Sequence, residues 1–211
     1  MTEDALSRAT AAIIEAGRRM DRFGWVPATA GNISVRLPGG HAGRIAITRS
    51  GGHKGFLDTG GIMVVDLDGR PEEPGARPSA ETGLHCGIYR RFPAAGAVLH
   101  GHSVPVTVLS RLAGDAIRLA GYELLKAFPG LSTHEAAVNL PVLDNDQDIP
   151  RLQAAVERRW AAAAAKDAPP GYLIRGHGVY VWGADMPQAL LRLEALEFML
   201  ACEVETRRIA R

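Results

Sequence analysis

Glycine and proline divide this 211-residue chain into short segments, because 24 glycines and 13 prolines are spread along its length. No apolar run approaches the roughly 18 to 20 residues that a membrane-spanning helix needs. Short apolar segments between Gly-rich turns are typical of β-strands, whereas longer segments with apolar residues at helical spacing are typical of amphipathic helices. The chain therefore favours a fold that mixes short strands with helices and does not enter a membrane.

Segments of both kinds alternate along the chain. Helices are predicted at 3–22, 81–92, 103–112, 121–128, 149–165 and 186–209, and strands at 32–37, 44–48, 62–67, 95–99, 137–143, 172–175 and 179–182. Strands joined by short Gly-rich turns, as at 38–43, pair antiparallel. We expect one α/β domain over residues 1–211, with a mixed or antiparallel sheet covered by helices. This length buries a core without disulfides or a structural metal.

The charge balance limits the partners of the chain. It has 24 Lys and Arg against 23 Asp and Glu, and 6% aromatic residues. Binding to DNA or RNA requires clustered basic residues, so we expect no nucleic-acid partner. The N-terminus is acidic where a signal peptide is basic and apolar, and Cys86 and Cys202 form neither a CxxC pair nor a disulfide framework. These features favour the cytoplasm.

Two histidines that share one glycine spacer are the strongest chemical signal. His100 and His102 lie in AVLHGHSVPV, and residues i and i+2 of an extended segment project to one side. His177 lies between two glycines, which allow close backbone approach. Three histidines with an open fourth position are typical of catalytic zinc, although Mn²⁺, Fe²⁺ or Co²⁺ accept the same ligands. The remaining histidines are predicted not to bind metal: His41, His53, His85 and His134.

A second group of residues suits an anion such as phosphate. It consists of hydroxyls, an amide and exposed backbone N–H groups, at Asn32, Ser34, Thr48, Ser50, Gly51 and Ser79. Each of these alone is explained by turn chemistry or helix capping, and Ser79 is predicted to be the N-cap of the helix that follows it.

Two carboxylates could move protons. Glu81 follows Ser79, where its ordinary role would be to complement a helix dipole. Glu123 lies among apolar residues in AGYELLKAF, where partial burial would raise its pKa and suit it to acid–base chemistry near neutrality. A surface ion pair with Lys126 explains Glu123 equally well.

Together these motifs identify a resemblance. AGNISVR, ITRSG, PSAET, HGHS and RGHGVYVWG, in this order and spacing, resemble the class II aldolase/adducin superfamily over about residues 5–206. GYELLKAFPG and VNLPVLDNDQDI are most similar to its dehydratases of methionine salvage. The resemblance implies a three-layer α/β/α sandwich with a central, mostly antiparallel sheet. It also implies a homotetramer with active sites at subunit boundaries, acting on a small phosphorylated ketose.

The resemblance also implies residue roles. Zinc, one ion per subunit, would be held by His100, His102 and His177, and the substrate would be bound by Gly31, Asn32, Ser50, Gly51, Ser79 and Glu81. In the aldolases of the superfamily a glutamate at the position of Glu81 acts on the proton beside the carbonyl. In the dehydratases the matching acid/base is Glu123. This chain departs from the common pattern at Arg49, where relatives have proline, so Arg49 would add a charge to phosphate binding or point to solvent.

Three functions fit this pattern. The first is a zinc-dependent hydro-lyase acting on a phosphorylated ketose. The second is an aldolase or 4-epimerase acting on another sugar phosphate, of the fuculose or ribulose phosphate type. The third is a non-catalytic interaction domain, as in the adducin branch, against which the three retained histidines argue.

Overall fold

The computed structural model describes residues 2–38, 43–161 and 171–210, with side chains from residue 5 onward. Five helices are present in these ranges: α1 (Thr2–Arg22), α2 (Thr82–Arg91), α3 (Val104–Leu112), α4 (Ile149–Ala161) and α5 (Met186–Ile209). The strands are β1 (Asn32–Arg36), β2 (Arg44–Thr48), β3 (Ile62–Asp66), β4 (Ala97–Gly101), β5 (Ala116–Ala120), β6 (Ala137–Leu143), β7 (Gly171–Ile174) and β8 (Val179–Gly183). Short 3₁₀ helices form at Lys54–Phe56, Thr59–Gly61 and Glu123–Ala127.

The strands form one sheet in the order β3-β2-β1-β4-β8-β7-β6-β5. Every neighbouring pair is antiparallel except β6 and β7, which run parallel. This confirms the expected α/β class with a mostly antiparallel sheet. The centre of the sheet is the β4–β8 pair, whose residues are all buried.

The two faces of the sheet bury different helices, because side chains alternate along each strand. Ala46, Leu99 and Val181 face a core that also contains residues of α1, α3 and α5. Their neighbours Ile47 and Val98 face the opposite core, which contains residues of α2 and α4. The result is the three-layer α/β/α sandwich implied by the resemblance.

The sequence prediction missed strand β5. Its five residues alternate between buried and exposed positions, with Ile117 and Leu119 inside and Arg118 outside. The pattern is short and includes a charge, as is common in a strand at the edge of a sheet. Pairing with β6 is what defines it.

The N-cap prediction for Ser79 is wrong. Helix α2 begins at Thr82, with Glu81 at the N-cap position, and the Ser79 hydroxyl only accepts a 3.4 Å bond from the Glu81 backbone N–H. The helix predicted at 121–128 is the 3₁₀ helix Glu123–Ala127.

Two predicted segments extend beyond the described residues. The centre of the turn at 38–43, including His41, lies outside them, as does the end of the helix predicted at 149–165. Among the helices that the structure describes, none is long and apolar enough to cross a membrane.

Candidate metal centre

The three glycine-flanked histidines meet at the end of the central strand pair. His100 is the fourth of the five residues of β4, opposite Tyr180 of β8, and His177 lies in the turn that leads into β8. Gly178 allows this approach, because a Cβ atom there would lie 2.3 Å from the Gly101 carbonyl oxygen and 2.7 Å from His100 Cε1. The antiparallel pairing thus brings together His100 and His177, which are 77 positions apart in the chain.

One carboxylate joins the histidines. Glu81, His100, His102 and His177 each offer an atom to a group whose members all lie within 4.8 Å of one another. The Nε2 atoms of His100 and His102 are 2.8 Å apart, and Glu81 Oε2 lies 3.4 Å from His100 Nε2. Tetrahedral ligands about 2.1 Å from zinc would be separated by about 3.4 Å. These spacings suit a divalent ion.

The protonation of the histidines also suits a cation. The Nδ1 of His100 donates to the Val179 carbonyl oxygen at 3.0 Å, so its Nε2 carries a free lone pair. Burial lowers the pKa of His100 to about 4 and that of His102 to about 3. Neutral imidazoles are the form that binds metal. His100 and His102 could therefore bind a metal ion in the neutral form that they hold near neutrality.

Glu81 is ionised in this site. Burial alone would raise its pKa, but the hydrogen bond from His177 and the nearby histidines lower the pKa to about 2. Its Oε2 accepts a 2.6 Å bond from the Asn32 amide, and its Oε1 lies 3.0 Å from His177 Nε2. The sequence predicted Glu81 to bind substrate; the structure adds it to the group that could bind metal.

Helix α2 and strand β1 are joined by three successive polar contacts, which we call the α2–β1 ladder. Asn32 bonds Glu81, Ser34 bonds His85 at 2.8 Å, and Arg36 bonds the Tyr89 carbonyl at 2.8 Å. The positions match because four helical residues rise about 6 Å and two strand residues about 6.7 Å. The Ser34 hydroxyl also contacts the Tyr89 hydroxyl at 3.0 Å.

Sequence reasoning missed the ladder. The sequence predicted that His85 does not bind metal, and in the structure His85 is fully buried and lies outside the group that could hold a metal. The spacing of residues 81, 85 and 89 was a usable signal, because it places them on one face of a helix. What could not be read from the sequence is that this face meets β1.

The residues expected to bind phosphate lie on two loops and a neighbouring segment. Gly31 has φ of 80°, and a Cβ atom there would lie 2.7 Å from the His100 carbonyl oxygen, so the first loop passes directly beside the metal-binding group. Ser50 and Gly51 are exposed on the second loop. A bridge between Arg49 and Pro78 brings the segment of Ser79 alongside it.

Glu123 does not lie in the metal-binding group of its own chain. Its side chain is 68% exposed and contacts Lys126 and His134, 2.5 Å and 3.3 Å away. The expectation of a buried carboxyl with a raised pKa is wrong for the single chain, because the Lys126 hydrogen bond lowers the pKa of Glu123. Arg49 likewise turns away from the loops, since its guanidinium bonds the Ile62 carbonyl and the Glu73 carboxylate.

Comparison with known protein sequences identifies one family and several relatives that match nearly the whole chain. The family described as "Class II Aldolase and Adducin N-terminal domain" matches residues 11–204. A methylthioribulose-1-phosphate dehydratase of Gluconacetobacter diazotrophicus is 60% identical over all of both chains. One from Granulibacter bethesdensis is also 60% identical, over 95% of this chain and 93% of its own. One from Marinobacter nauticus is 53% identical over 99% of each.

Solved structures share the fold. An L-fuculose-1-phosphate aldolase of Thermus thermophilus superposes with a TM-score of 0.75 at 26% identity, over 97% of this chain and 98% of its own. YgbL of Klebsiella pneumoniae, described as a possible aldolase, epimerase or decarboxylase, superposes with a TM-score of 0.77 at 24% identity, over 94% and 89%.

Proposed function

The chain belongs to the class II aldolase and adducin family, and from this premise we propose that it is a methylthioribulose-1-phosphate dehydratase. The enzyme is a hydro-lyase that converts 5-methylthioribulose 1-phosphate to 2,3-diketo-5-methylthiopentyl 1-phosphate and water, a step of methionine salvage. The observation that carries the proposal is 60% identity over full length to a dehydratase of this name. The convergence of Glu81 with three histidines supports an enzyme over an interaction domain.

The metal is proposed to be zinc, one ion per subunit, held by His100, His102 and His177. When bound, it would polarise the substrate carbonyl and stabilise the negative charge that develops beside it. Two hydrogen bonds orient the side chains of this site before a metal binds. The Val179 carbonyl fixes the His100 ring, and the Asn32 amide holds the Glu81 carboxylate in place. The substrate phosphate would be held next to the metal by the loop of Gly31 and Asn32, by the loop of Ser50 and Gly51, and by Ser79.

The reaction needs an acid/base. It removes the C3 proton and expels the C4 hydroxyl as water; the enol that remains tautomerises to the 2,3-diketone. We assign this role to Glu123, which takes the C3 proton and returns a proton to the departing hydroxyl. Because Glu123 contacts Lys126 and His134 rather than the histidine group of its own chain, it would act on the site of a neighbouring subunit.

A homotetramer with active sites at subunit boundaries would meet this requirement. One surface of the chain supports it, because large apolar side chains are exposed around a cavity of about 740 Å³ beside the 3₁₀ helix of Glu123. The most exposed of them are Phe23, Val104, Leu191 and Phe198, between 52% and 72% exposed. Solvent-exposed apolar patches of this kind usually mark contact surfaces.

The two free cysteines fit a reducing compartment, and we propose the cytoplasm.

The decisive experiment incubates the zinc-loaded protein with 5-methylthioribulose 1-phosphate and identifies the product by mass spectrometry. Loss of one water with formation of the diketone phosphate is expected. Recovery of unchanged substrate from stoichiometrically loaded protein would overturn the assignment. His100→Ala serves as the control, since it should lose both zinc and turnover.

An aldolase is the second candidate, and one observation favours it. Glu81, the position that carries the acid/base in the aldolases of the superfamily, lies in the metal-binding group, and Glu123 does not. Product analysis separates the two functions, because cleavage between C3 and C4 of a fuculose or ribulose phosphate gives two fragments. A 4-epimerase would return a ketose phosphate of unchanged mass.

A further inference from the structure

Lys54 is a buried cation that the proposed chemistry does not use. The residue is only 1% exposed, and its ammonium donates to the carbonyl oxygens of Thr29 at 2.8 Å and Gly52 at 2.7 Å. An ammonium has three N–H donors. Two of them are therefore committed to neutral oxygens, and the third is not assigned to any of the described residues.

The charge of Lys54 is not neutralised by a direct ion pair. Among the described side chains, no carboxylate lies within 4.0 Å of its ammonium. Burial lowers the pKa of Lys54, and the more distant charge of Glu81 opposes this. Placing a cation in the interior without a paired anion costs free energy. A buried lysine without a paired carboxylate is expected where its positive charge attracts an anionic ligand.

The ammonium lies between the two loops that carry the candidate phosphate-binding residues. Thr29 is two residues before Gly31, and Gly52 directly follows Gly51. The charge of Lys54 also reaches the metal centre, where it contributes to lowering the pKa of His102. Lys54 is thus close to both parts of the proposed substrate site.

The other basic residue of this region is engaged elsewhere. Arg49 precedes Ser50, but its guanidinium pairs with the Glu73 carboxylate and the Ile62 carbonyl. The expected positive charge for the anion is therefore not supplied by Arg49. Lys54 bonds both loops, and a charge in a low-dielectric interior acts more strongly than one in solvent.

We propose that Lys54 determines the specificity of this site for phosphorylated substrates. Its ammonium holds the Thr29 and Gly52 loops together and provides the positive charge that favours a phosphate over an uncharged hydroxyl at the same place. This inference rests on the proposed function for the identity of the substrate, but it holds equally for any sugar phosphate bound at the metal.

Two metal-chelating probes test the proposal without turnover. Glycolohydroxamate and phosphoglycolohydroxamate differ only in the phosphate, and calorimetry on the zinc-loaded protein gives a dissociation constant for each. Lys54→Gln keeps N–H donors for the carbonyls and removes the charge. We expect it to weaken the phosphorylated probe about tenfold or more and the unphosphorylated one less than about twofold. Arg49→Gln is the matched control and should change neither constant.

The outcomes are distinct. Equal weakening of both probes would mean that Lys54 only supports the fold near the metal, and no change in either dissociation constant would mean that its charge does not reach the phosphate; either result overturns the proposal. If Lys54→Gln does not fold, Lys54→Met and Lys54→Arg are compared, and only Arg should keep the preference for phosphate. A protein that selects the phosphorylated probe but forms no diketone would disprove the dehydratase and leave the role of Lys54 standing.

Discussion

Single glycines set the geometry of the metal centre. At Gly178 an added Cβ atom would collide with the Gly101 carbonyl oxygen and with the His100 ring. The histidines can converge only because this position has no side chain. Glycine is therefore required there by packing and not by backbone dihedral angles, since its φ is not in the left-handed region.

Gly178→Ala is expected to separate β4 from the turn of His177. The affinity for zinc should fall at least about tenfold, because misplacing one ligand disrupts the whole set. Zinc competition with a chromophoric chelator measures this. Gly114→Ala is the control, because nothing lies within 4 Å of a Cβ atom at that position. Unchanged zinc affinity in Gly178→Ala would mean that the strands shift to accommodate the methyl group.

Glu197 couples stability to pH. It lies on α5, 3% exposed, and both carboxylate oxygens lack a hydrogen-bond partner among the described residues. Burial raises its pKa from 4.5 to about 7, and the nearby Ser103 hydroxyl opposes this shift only weakly because it makes no well-formed hydrogen bond to the carboxylate. Between these two values folded Glu197 binds more protons than it does in the unfolded chain, so its contribution to stability is full below pH 4.5 and declines as the pH rises to 7. The loss amounts to about 3 kcal/mol.

Glu197→Gln should remove that decline. Urea unfolding at about pH 5 and about pH 8, at one protein concentration, gives the free energy of unfolding for both proteins. The free energy of unfolding of the variant, taken relative to the wild type, should rise by about 2–3 kcal/mol between the two pH values. The buried neutral histidines gain stability over the same range, but they do so in both proteins and cancel from this difference. Glu205→Gln, an exposed residue beside Arg208, is the control. Identical pH dependence in Glu197→Gln and the wild type would contradict the assignment.

At the scale of secondary-structure elements, the α2–β1 ladder orients the end of α2 that follows Glu81. Helix α2 begins directly after Glu81, and no side chain caps its N-terminus. The contacts of Ser34 with His85 and Tyr89 fix the following two turns of the helix against β1. Glu81 is thereby held at the metal centre by bonds that lie one and two helical turns away from it.

A double-mutant cycle measures how far these elements depend on one another. Ser34→Ala, His85→Leu and the double variant should each destabilise the fold by about 1–3 kcal/mol, because each leaves a buried polar group unsatisfied. The coupling energy between the two positions should be about 0.5 kcal/mol or more. Denaturant unfolding provides the values. Strict additivity would show that the Ser34–His85 contact contributes nothing.

At the scale of the whole molecule, the proposed function requires that the acid/base and the metal ligands of one site come from different subunits. Mixing Glu123→Gln and His100→Ala subunits then creates sites with one intact set of ligands and one intact Glu123. In a random mixture about a quarter of the sites should be complete, so two inactive variants should regain activity together. Native mass spectrometry confirms that hybrids have formed. Hybrids without activity would place Glu123 in its own subunit's site or outside catalysis.

The sequence by itself determined the chemistry of this protein. The ligand types at His100, His102 and His177, the order of strands and helices, and the motifs of the family are all local properties of the chain, because they depend on residue identity and short spacings. They were sufficient to predict the α/β/α sandwich and the histidine group. Strand β5 was missed, since its pattern is short and its identity comes from pairing with β6.

Only the tertiary structure decided how the site is completed. The proximity of Glu81 to the histidines, the burial of Lys54 between two loops and the exposure of Glu123 depend on which faces and loops meet across the sheet. Such contacts join residues far apart in sequence, and burial sets the charge of each group through desolvation. Residue identity fixes which chemistry is available, whereas the long-range packing of the chain fixes which groups can take part in it.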